Sequence, residues 1–370
     1  MLDFAIWLLT YIVPFVAVLT VIVFVHEMGH YLVARWNGIA VHTFSIGFGP
    51  ELIGRTDRHG TRWRLSAIPL GGYVRFLGDL NAASQPDADA VARIDPALQP
   101  ALFVNKSVWR RIAVVGAGPA ANVLFAFLVI YAMLLGFGRY TIPPVIDTVV
   151  ADSVAESAGM EPGDRIVSVD GYAVHGFNDF QRLVSTSPER TVTIEVLRAG
   201  ESREFVIVPE PVQVRDAFGN PLRIGRIGVS RQTSSADVEL YRPGPAEAVG
   251  MTFEEIRFII DRTAAFVGDF FVGRGDFEQL GGPVKVAQVS GEVATLGIMA
   301  LINLMALLSL NIGLVNLLPI PLLDGGHLLY YAFEVALRRP LSPRVQEIGF
   351  RIGLILVTGL MLFTVINDIV

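Results

Sequence analysis

The chain has 370 residues, 52% of them hydrophobic and only 17% charged, with a mean hydropathy of +0.52 and a formal net charge of −6. Soluble domains carry about 25% charged residues, so this composition argues for a bilayer as solvent and against disorder or an ordinary cytosolic enzyme. The dispersed basic residues argue against a nucleic-acid partner. The absence of cysteine excludes disulfides, thiolate nucleophiles and zinc–thiolate sites, which leaves His, Asp and Glu as candidate metal ligands.

Residues 1–36 are expected to form the first transmembrane helix. Phe4–Val25 is 22 residues without a charge, and apolar character resumes beyond His26, Glu27 and His30 as far as Arg35; about 20 apolar residues suffice to span. The opening Met1-Leu2-Asp3 lacks a basic n-region and the run is too long for a signal-peptide core, so the segment is expected to be retained. Residues 37–107 are expected to form a loop on the cytoplasmic side. Within it Arg62–Phe76 reads as a β-hairpin with Gly71-Gly72 near the turn, and Asp79–Pro100, rich in Ala, Asp and Pro, as a mobile loop. Residues 108–138 supply the second helix, with 26 uncharged residues from Ile112 to Phe137.

Residues 139–211 are β-rich. Thr191–Leu197 and Glu204–Val208 alternate like half-buried strands, and Ala158–Gly171 reads as turn, strand and turn. This segment resembles a bacterial PDZ domain, a fold that binds peptide ends by adding a strand to a sheet edge. Residues 212–292 continue with short strands to about residue 240 and then a helix from Ala246 to Phe271. Its apolar face of Val249, Phe253, Ile256, Phe258, Ile259 and Ile260 would lie on the membrane or pack on the PDZ-like domain. Residues 293–337 hold the third helix: 31 uncharged residues from Val293 to Leu323, interrupted by Asp324 and resuming through Phe333. Residues 338–370 contain a cytoplasmic link and a fourth helix, whose 16 uncharged residues from Ile352 to Asn367 are lengthened if Arg351 snorkels.

Ten Lys and Arg lie between Arg35 and Arg111, and Arg338, Arg339, Arg344 and Arg351 flank the last link. Four spans put both basic segments on one side, so the positive-inside rule places both termini outside the cytoplasm and residues 138–292 in one external segment. The expected architecture is a polytopic α-helical membrane protein of four transmembrane helices, with a membrane-associated β-hairpin and one external PDZ-like α+β domain.

His26-Glu27-Met28-Gly29-His30 is an HExxH pattern. On a helix, positions i and i+4 share a face about 6 Å apart along the axis, so both imidazoles can reach one Zn²⁺. Glu27 stands beside the first of them, where it can take a proton from the attacking water and return it to the leaving amine. Ionisable groups in lipid are expensive unless paired, metal-bound or facing water, so the position of this motif in an apolar run favours a metal over a merely polar cavity. Catalytic zinc usually has three protein ligands. Asp324 interrupts the third apolar stretch in Asn316-Leu-Leu-Pro319-Ile-Pro321-Leu-Leu-Asp324-Gly325-Gly326-His327, where two prolines and two glycines break the helix. Asp324 therefore suits the third position. His327 competes for it, although its place nearer a helix end favours an interfacial role. Asn316 could donate to a developing oxyanion or serve as interhelical hydrogen-bond glue; Asn303 and Asn311 are read as glue.

HEMGH in the first helix together with NLLPIPLLDGG in the third resembles the site-2 protease family of intramembrane zinc metalloproteases. Further similar stretches are Ser45–Pro50, Ile68–Val74, and Asn105-Lys106-Ser107 leading into Gly118-Pro119-Ala120-Ala121-Asn122. Their order, with the external PDZ-like segment, is similar to the bacterial regulator-of-sigma-E protease branch. The resemblance implies that His26, His30 and Asp324 bind Zn²⁺, that Glu27 is the general base and that Asn316 steadies the substrate or intermediate. It also implies that the hairpin pairs with substrate, that Gly47-Phe48-Gly49 belongs to a re-entrant loop, and that the protein sits in the inner membrane with both termini periplasmic. Its partners would be the lipid bilayer and a single-pass transmembrane substrate such as an anti-sigma factor, filtered or docked by the PDZ-like domain. The best-known members carry two tandem PDZ domains and this sequence shows one, which bears on substrate gating and not on the chemistry. Clearance of remnant signal peptides by the same site is the alternative activity. A membrane PDZ receptor with a structural metal is the non-enzymatic one.

Overall fold

The computed structural model describes residues 8–79, 94–215, 221–232, 237–271, 273 and 281–369. They form two compact units: residues 1–130 with 276–370, and residues 131–275. The opening Met1-Leu2-Asp3 lies outside the described residues, as do 80–93 of the expected mobile loop.

The first unit opens with a π-helical turn, Leu8–Ile12, that runs into α1, Val13–Trp36. Pro14 sits in the first turn, where its missing N–H costs nothing, and Asn37 ends the helix by donating its side-chain amide to the Val33 carbonyl at 2.8 Å. Val18, Ile22, His26, Gly29 and Ala34 are buried along one side, whereas Val13, Val21, Phe24, Leu32 and Trp36 are exposed on the others. That division suits a helix packed on neighbours along one stripe and bathed in lipid elsewhere.

Two long strands follow, β1 (Val41–Thr56) and β2 (Arg62–Phe76), paired antiparallel except where Thr43–Ile46 runs in the same direction as Arg62–Leu65. They fold back on themselves, so that Thr43–Ile46 is flanked on one side by Gly72–Arg75 and on the other by Arg62–Leu65. The turn between them is Asp57–Thr61: the Asp57 carboxylate accepts from the His59 and Thr61 backbone N–H groups at 2.8 and 3.0 Å, and Gly60 takes a φ of +84°. Gly71-Gly72 is thus not a hairpin turn. A β-carbon on Gly72 would lie 2.7 Å from the Ser45 carbonyl oxygen and 2.8 Å from a Val23 methyl, so the glycine is there for close approach of β2 to β1 and α1. Gly47-Phe48-Gly49 lies inside β1, both glycines at positive φ, with the Phe48 ring stacked on Tyr73. Phe44 and Trp63 stack at 4.4 Å, and the sheet packs through Val41, Phe44, Val74 and Phe76 against Tyr31 and Ala34 of α1. Phe48, Leu52, Ile53, Leu65 and Ile68 remain exposed. Near the end of the expected mobile loop the chain is ordered: Pro96–Ala101 is a 3₁₀ turn, capped by Asp95 accepting from the Ala97 N–H at 2.8 Å. α2, Val108–Phe137, then runs for 30 residues with Pro119 inside it.

In the second unit, β3 (Arg139–Thr141), β4 (Thr148–Val149) and a four-residue helix, α3 (Val154–Ser157), precede β5 (Arg165–Val169) and β6 (Tyr172–Ala173). α4 (Phe177–Ser185), β7 (Val192–Arg198) and β8 (Glu201–Ile207) follow, and the sheet order is β6-β5-β7-β8, antiparallel throughout. Ile166, Val169, Ile194 and Val196 from the sheet meet Phe180, Leu183 and Val184 from α4 in the core. Asp164 is fully buried, its two carboxylate oxygens gripped by the Arg198 guanidinium at 2.6 and 2.7 Å. The short strands β9 (Glu210–Arg215), β10 (Pro221–Arg226), β11 (Val229–Ser230) and β12 (Glu239–Tyr241) pair β9 with β10, β11 with β4 and β12 with β3. α5, Pro245–Phe271, buries Ala248, Met251, Ile256 and Phe258 and leaves Phe253 exposed. Its apolar face is therefore packed on the sheet unit through Phe258.

The chain returns to the first unit with α6, Pro283–Thr295, whose N-terminus is capped by Asp368 accepting from the Gly282 and Lys285 N–H groups, both at 2.9 Å. The 31-residue apolar run is not one helix. Gly297, at a φ of +109°, separates α6 from α7, Ile298–Asn316, and a turn through Pro319 and Pro321 separates α7 from α8, Asp324–Leu337. α9, Pro343–Ile369, has 27 residues against the 16 uncharged ones that marked it, because helix propensity carries on into the polar ends. Among the described residues four helices are long and apolar enough to cross a membrane: Leu8–Trp36, Val108–Phe137, Ile298–Asn316 and Arg344–Asp368. At about 1.5 Å per residue, α7 alone covers close to the ~30 Å hydrocarbon core.

Candidate metal centre

α1 carries His26, Glu27 and His30 on successive turns, and α8 begins with Asp324 where the Pro319–Leu323 turn ends. The turn is shaped by residues without room for alternatives: β-carbons on Gly325 or Gly326 would run into the backbone carbonyls of Leu317, Leu318 and Ile320. It therefore folds tightly under the first turn of α8. The result is that three donor atoms converge. His26 Nε2 lies 3.1 Å from His30 Nε2 and 3.1 Å from Asp324 Oδ2, and His30 Nε2 lies 3.4 Å from the same oxygen.

Proton accounting decides what this triangle is for. His30 Nδ1 is 2.8 Å from the Val114 carbonyl, to which it donates, so in the neutral ring Nε2 holds a lone pair. That lone pair faces a buried carboxylate oxygen 3.4 Å away, with no hydrogen on this nitrogen to share between them. Electron-rich atoms brought this close repel unless a cation sits among them. For ligand bonds of about 2.0–2.1 Å, tetrahedral coordination spaces the ligand atoms by about 3.3 Å, which the observed 3.1–3.4 Å separations match. The two imidazoles and one carboxylate thus fit a small divalent ion, and the all-N/O donor set suits zinc. Among the described residues, this is the group of His, Asp and Glu side chains placed to hold a metal.

The centre opens into a cavity of about 600 Å³ lined by His26, Glu27, His30, Gly71–Val74, Asn316, Asp324 and His327. Glu27 is buried, and Gly72 of β2 passes so close that a β-carbon there would stand 3.1 Å from Glu27 Cγ. Asn316, the last residue of α7, is half-buried on the cavity wall and not among the converging donors. His327 lies one turn beyond Asp324 on the same wall and is likewise outside the triangle. Asn303 is exposed on α7; a polar contact from α7 to α2 runs through Ser309, which donates to the Asn122 carbonyl at 3.2 Å.

Sequence reasoning missed what α2 contributes. Val114 supplies the carbonyl under His30. Gly118 supplies emptiness: a β-carbon there would collide with Nε2 of both His30 and His26. Asn122, fully buried, places its side-chain amide 3.3 Å from His26 Nδ1. The spacing of four between these positions is the signal that could have found them, since it puts all three on one helix face.

Residues 14–360 match peptidase family M50. The chain is 48% identical over 360 residues to a protein of Agrobacterium fabrum named as a zinc metalloprotease, covering 97% of this chain and 95% of that one. It is 49% identical over 359 residues to a similarly named protein of Mesorhizobium japonicum, covering 97% and 98%. To the metalloprotease MmpA of Caulobacter vibrioides it is 35% identical over 381 residues, covering 97% and 95%.

Proposed function

The chain belongs to peptidase family M50, and from that premise we propose that it is an intramembrane zinc endopeptidase that cuts single-pass transmembrane substrates within the bilayer. The observation that carries this reading is the convergence of His26, His30 and Asp324 beside Glu27, at the base of a cavity walled by helices long and apolar enough to span a membrane. Zinc, when held by those three side chains, supplies Lewis-acid polarisation of the scissile carbonyl. Glu27 takes the proton of the attacking water and passes it to the leaving amine. Asn316, also on the cavity wall, offers an amide N–H to the oxygen on which negative charge develops.

A substrate helix hides its amides in its own hydrogen bonds. Gly72–Phe76 of β2 lines the cavity at the outer flank of the Thr43–Ile46 strand, and a substrate segment added there as a further strand is held extended beside Glu27. The exposed Phe48, Leu52, Ile53, Leu65 and Ile68 suit a sheet that dips into lipid. The protein is placed in the bacterial inner membrane with its Arg-rich segments in the cytoplasm and both termini in the periplasm. The residue 131–275 unit is then periplasmic. It is read as PDZ-like, with a groove of about 330 Å³ between α4 and Ile224–Arg231 that receives a peptide end. The substrate class is a membrane-anchored regulator of the anti-sigma-factor type, shortened outside by another protease first.

Co-expression with candidate single-pass proteins tests this. Glu27→Gln is expected to keep one zinc per chain and to lower cleavage by about 10²–10⁴-fold. Undiminished turnover in that variant overturns the mechanism. Accumulation of signal-peptide remnants, in place of one regulator, assigns the site to clearance. Wild-type protein that fills with zinc yet cuts no membrane peptide is a receptor.

A further inference from the structure

An imidazole presents one lone pair to a metal, and the group that binds its other nitrogen decides which nitrogen that is. For His30 the Val114 carbonyl makes the choice. For His26 the group at Nδ1 is the Asn122 amide, 3.3 Å away, placed with Nδ2 toward the ring and Oδ1 buried without a hydrogen-bond partner. An amide's O and N differ little in shape, and the network decides between them. With Nδ2 inward, His26 Nδ1 must accept, its hydrogen moves to Nε2, and the lone pair needed beside Asp324 is gone. With the amide turned by half a revolution, Oδ1 accepts from Nδ1–H and Nε2 is free to coordinate. Either orientation leaves one amide atom unpartnered; only the second agrees with the donor triangle.

We propose that Asn122 is the positioning residue of His26, holding it through Oδ1 in the Nδ1–H tautomer that aims Nε2 at the metal. The inference rests on the zinc-site reading above and extends it to a residue outside the HExxH and Asp324 motifs. α2 carries the whole support on one face at intervals of four: the Val114 carbonyl for His30, the missing side chain of Gly118 for both rings, and the Asn122 amide for His26. Asn122 has no freedom to wander. It is fully buried, its backbone carbonyl accepts from Ser309, and Gly313 of α7 packs against its β-carbon so closely that an added Cβ on Gly313 would be 3.2 Å away.

The test uses the full-length protein in detergent and reads zinc affinity by competition with a chromophoric chelator. Asn122→Leu, close in size but without an acceptor, is expected to bind zinc about 10–100-fold more weakly, as when outer supports of metal ligands are lost. Asn122→Asp, which can only accept, is expected to bind at least as tightly as wild type. Equal weakening in both variants means that the amide N–H faces His26 and overturns the proposal; so does an unchanged Asn122→Leu. Should a variant fail to fold, the ¹⁵N spectrum of histidine-labelled, zinc-loaded wild type decides. A His26 ring protonated at Nδ1 supports the proposal, and one unprotonated there overturns it. Wild type that takes up no zinc overturns the metalloprotease reading together with this one, whereas normal uptake by wild type and Asn122→Leu alike overturns this one alone.

Discussion

Gly118 has no side chain because two histidines occupy the place one would fill. In Gly118→Ala the new methyl must push His26 or His30 off the triangle, since α1 and α2 are locked together at the neighbouring level, where a β-carbon on Gly29 would run into the Ala117 carbonyl. Zinc affinity is therefore expected to fall by at least about tenfold, comparable to losing an outer support of a ligand, with detergent elution and helix content unchanged. A chelator titration checks it. Of the residues at the candidate metal centre, His26, Glu27, His30 and Asp324 stood out in the sequence, because charges inside long apolar runs are conspicuous and helix periodicity pairs i with i+4. Gly118 and Asn122 stood out only as part of a family-like stretch, and their roles at the histidines were not legible. A glycine and an asparagine in an apolar helix look like ordinary packing and hydrogen-bond glue until the helix opposite is known.

At the level of elements, the glycine pair in β2 shows where local rules mislead. Gly-Gly between alternating residues signals a turn, yet here it lets a strand press on a helix, and the turn is made instead by Asp57–Thr61 with Asp57 as its brace. Gly72→Val would place a branched side chain against the Ser45 carbonyl, Val23 and Glu27. Displacing the strand edge is expected to cost at least about tenfold in cleavage, as misplacement by an ångström does, while zinc content stays at wild-type level because no ligand is touched. Parallel metal and turnover assays separate the two effects. The breaks on either side of α7 were only half visible: Pro319 and Pro321 announce the second, but Gly297 lies among uncharged residues and carries no comparable mark. The strand β7 coincides with its alternating run because Val192, Ile194 and Val196 are buried between less buried neighbours, whereas β8 begins three residues before its run and turns only Phe205 and Ile207 inward.

For the molecule as a whole, the two compact units differ in kind, one built on helices of membrane-spanning length and the other on a four-stranded sheet. In the residue 131–275 unit, burial pushes the Asp164 carboxyl up, but the Arg198 guanidinium and the Glu161 N–H outweigh it and hold the group below its ordinary value. A carboxyl depressed in the folded state contributes stability above its unfolded value of about 3.9 and loses that contribution as pH falls through the folded value. Hydrogen-exchange protection in this unit, taken relative to the intrinsic rate at each pH, is thus expected to hold from neutral pH to about pH 5 and to fall below about pH 4. Asp164→Asn removes the acid-dependent part and costs roughly 3 kcal/mol, the lower end for breaking a buried pair, because Arg198 keeps Glu161 at 2.8 Å. Orientation is testable on the same chain, which has no cysteine of its own. A single cysteine at exposed Ser202 should react with an impermeant maleimide from outside the cell, and one at exposed His59 only after lysis. Reversed labelling would invert the arrangement set out above.

The position of His26 along α1 has a consequence for how such an enzyme chooses a bond. Ten residues separate it from Trp36 at the helix end, about 15 Å at 1.5 Å per residue, or half the hydrocarbon thickness. With Trp36 at the membrane surface, as the proposed arrangement has it, a rigid rod of that length would work as a plumb line dropped from it. Whatever its letters, a visiting chain would then be scored at the level where the weight hangs, so that lipid thickness and the tilt of the visitor would become part of the enzyme's specificity.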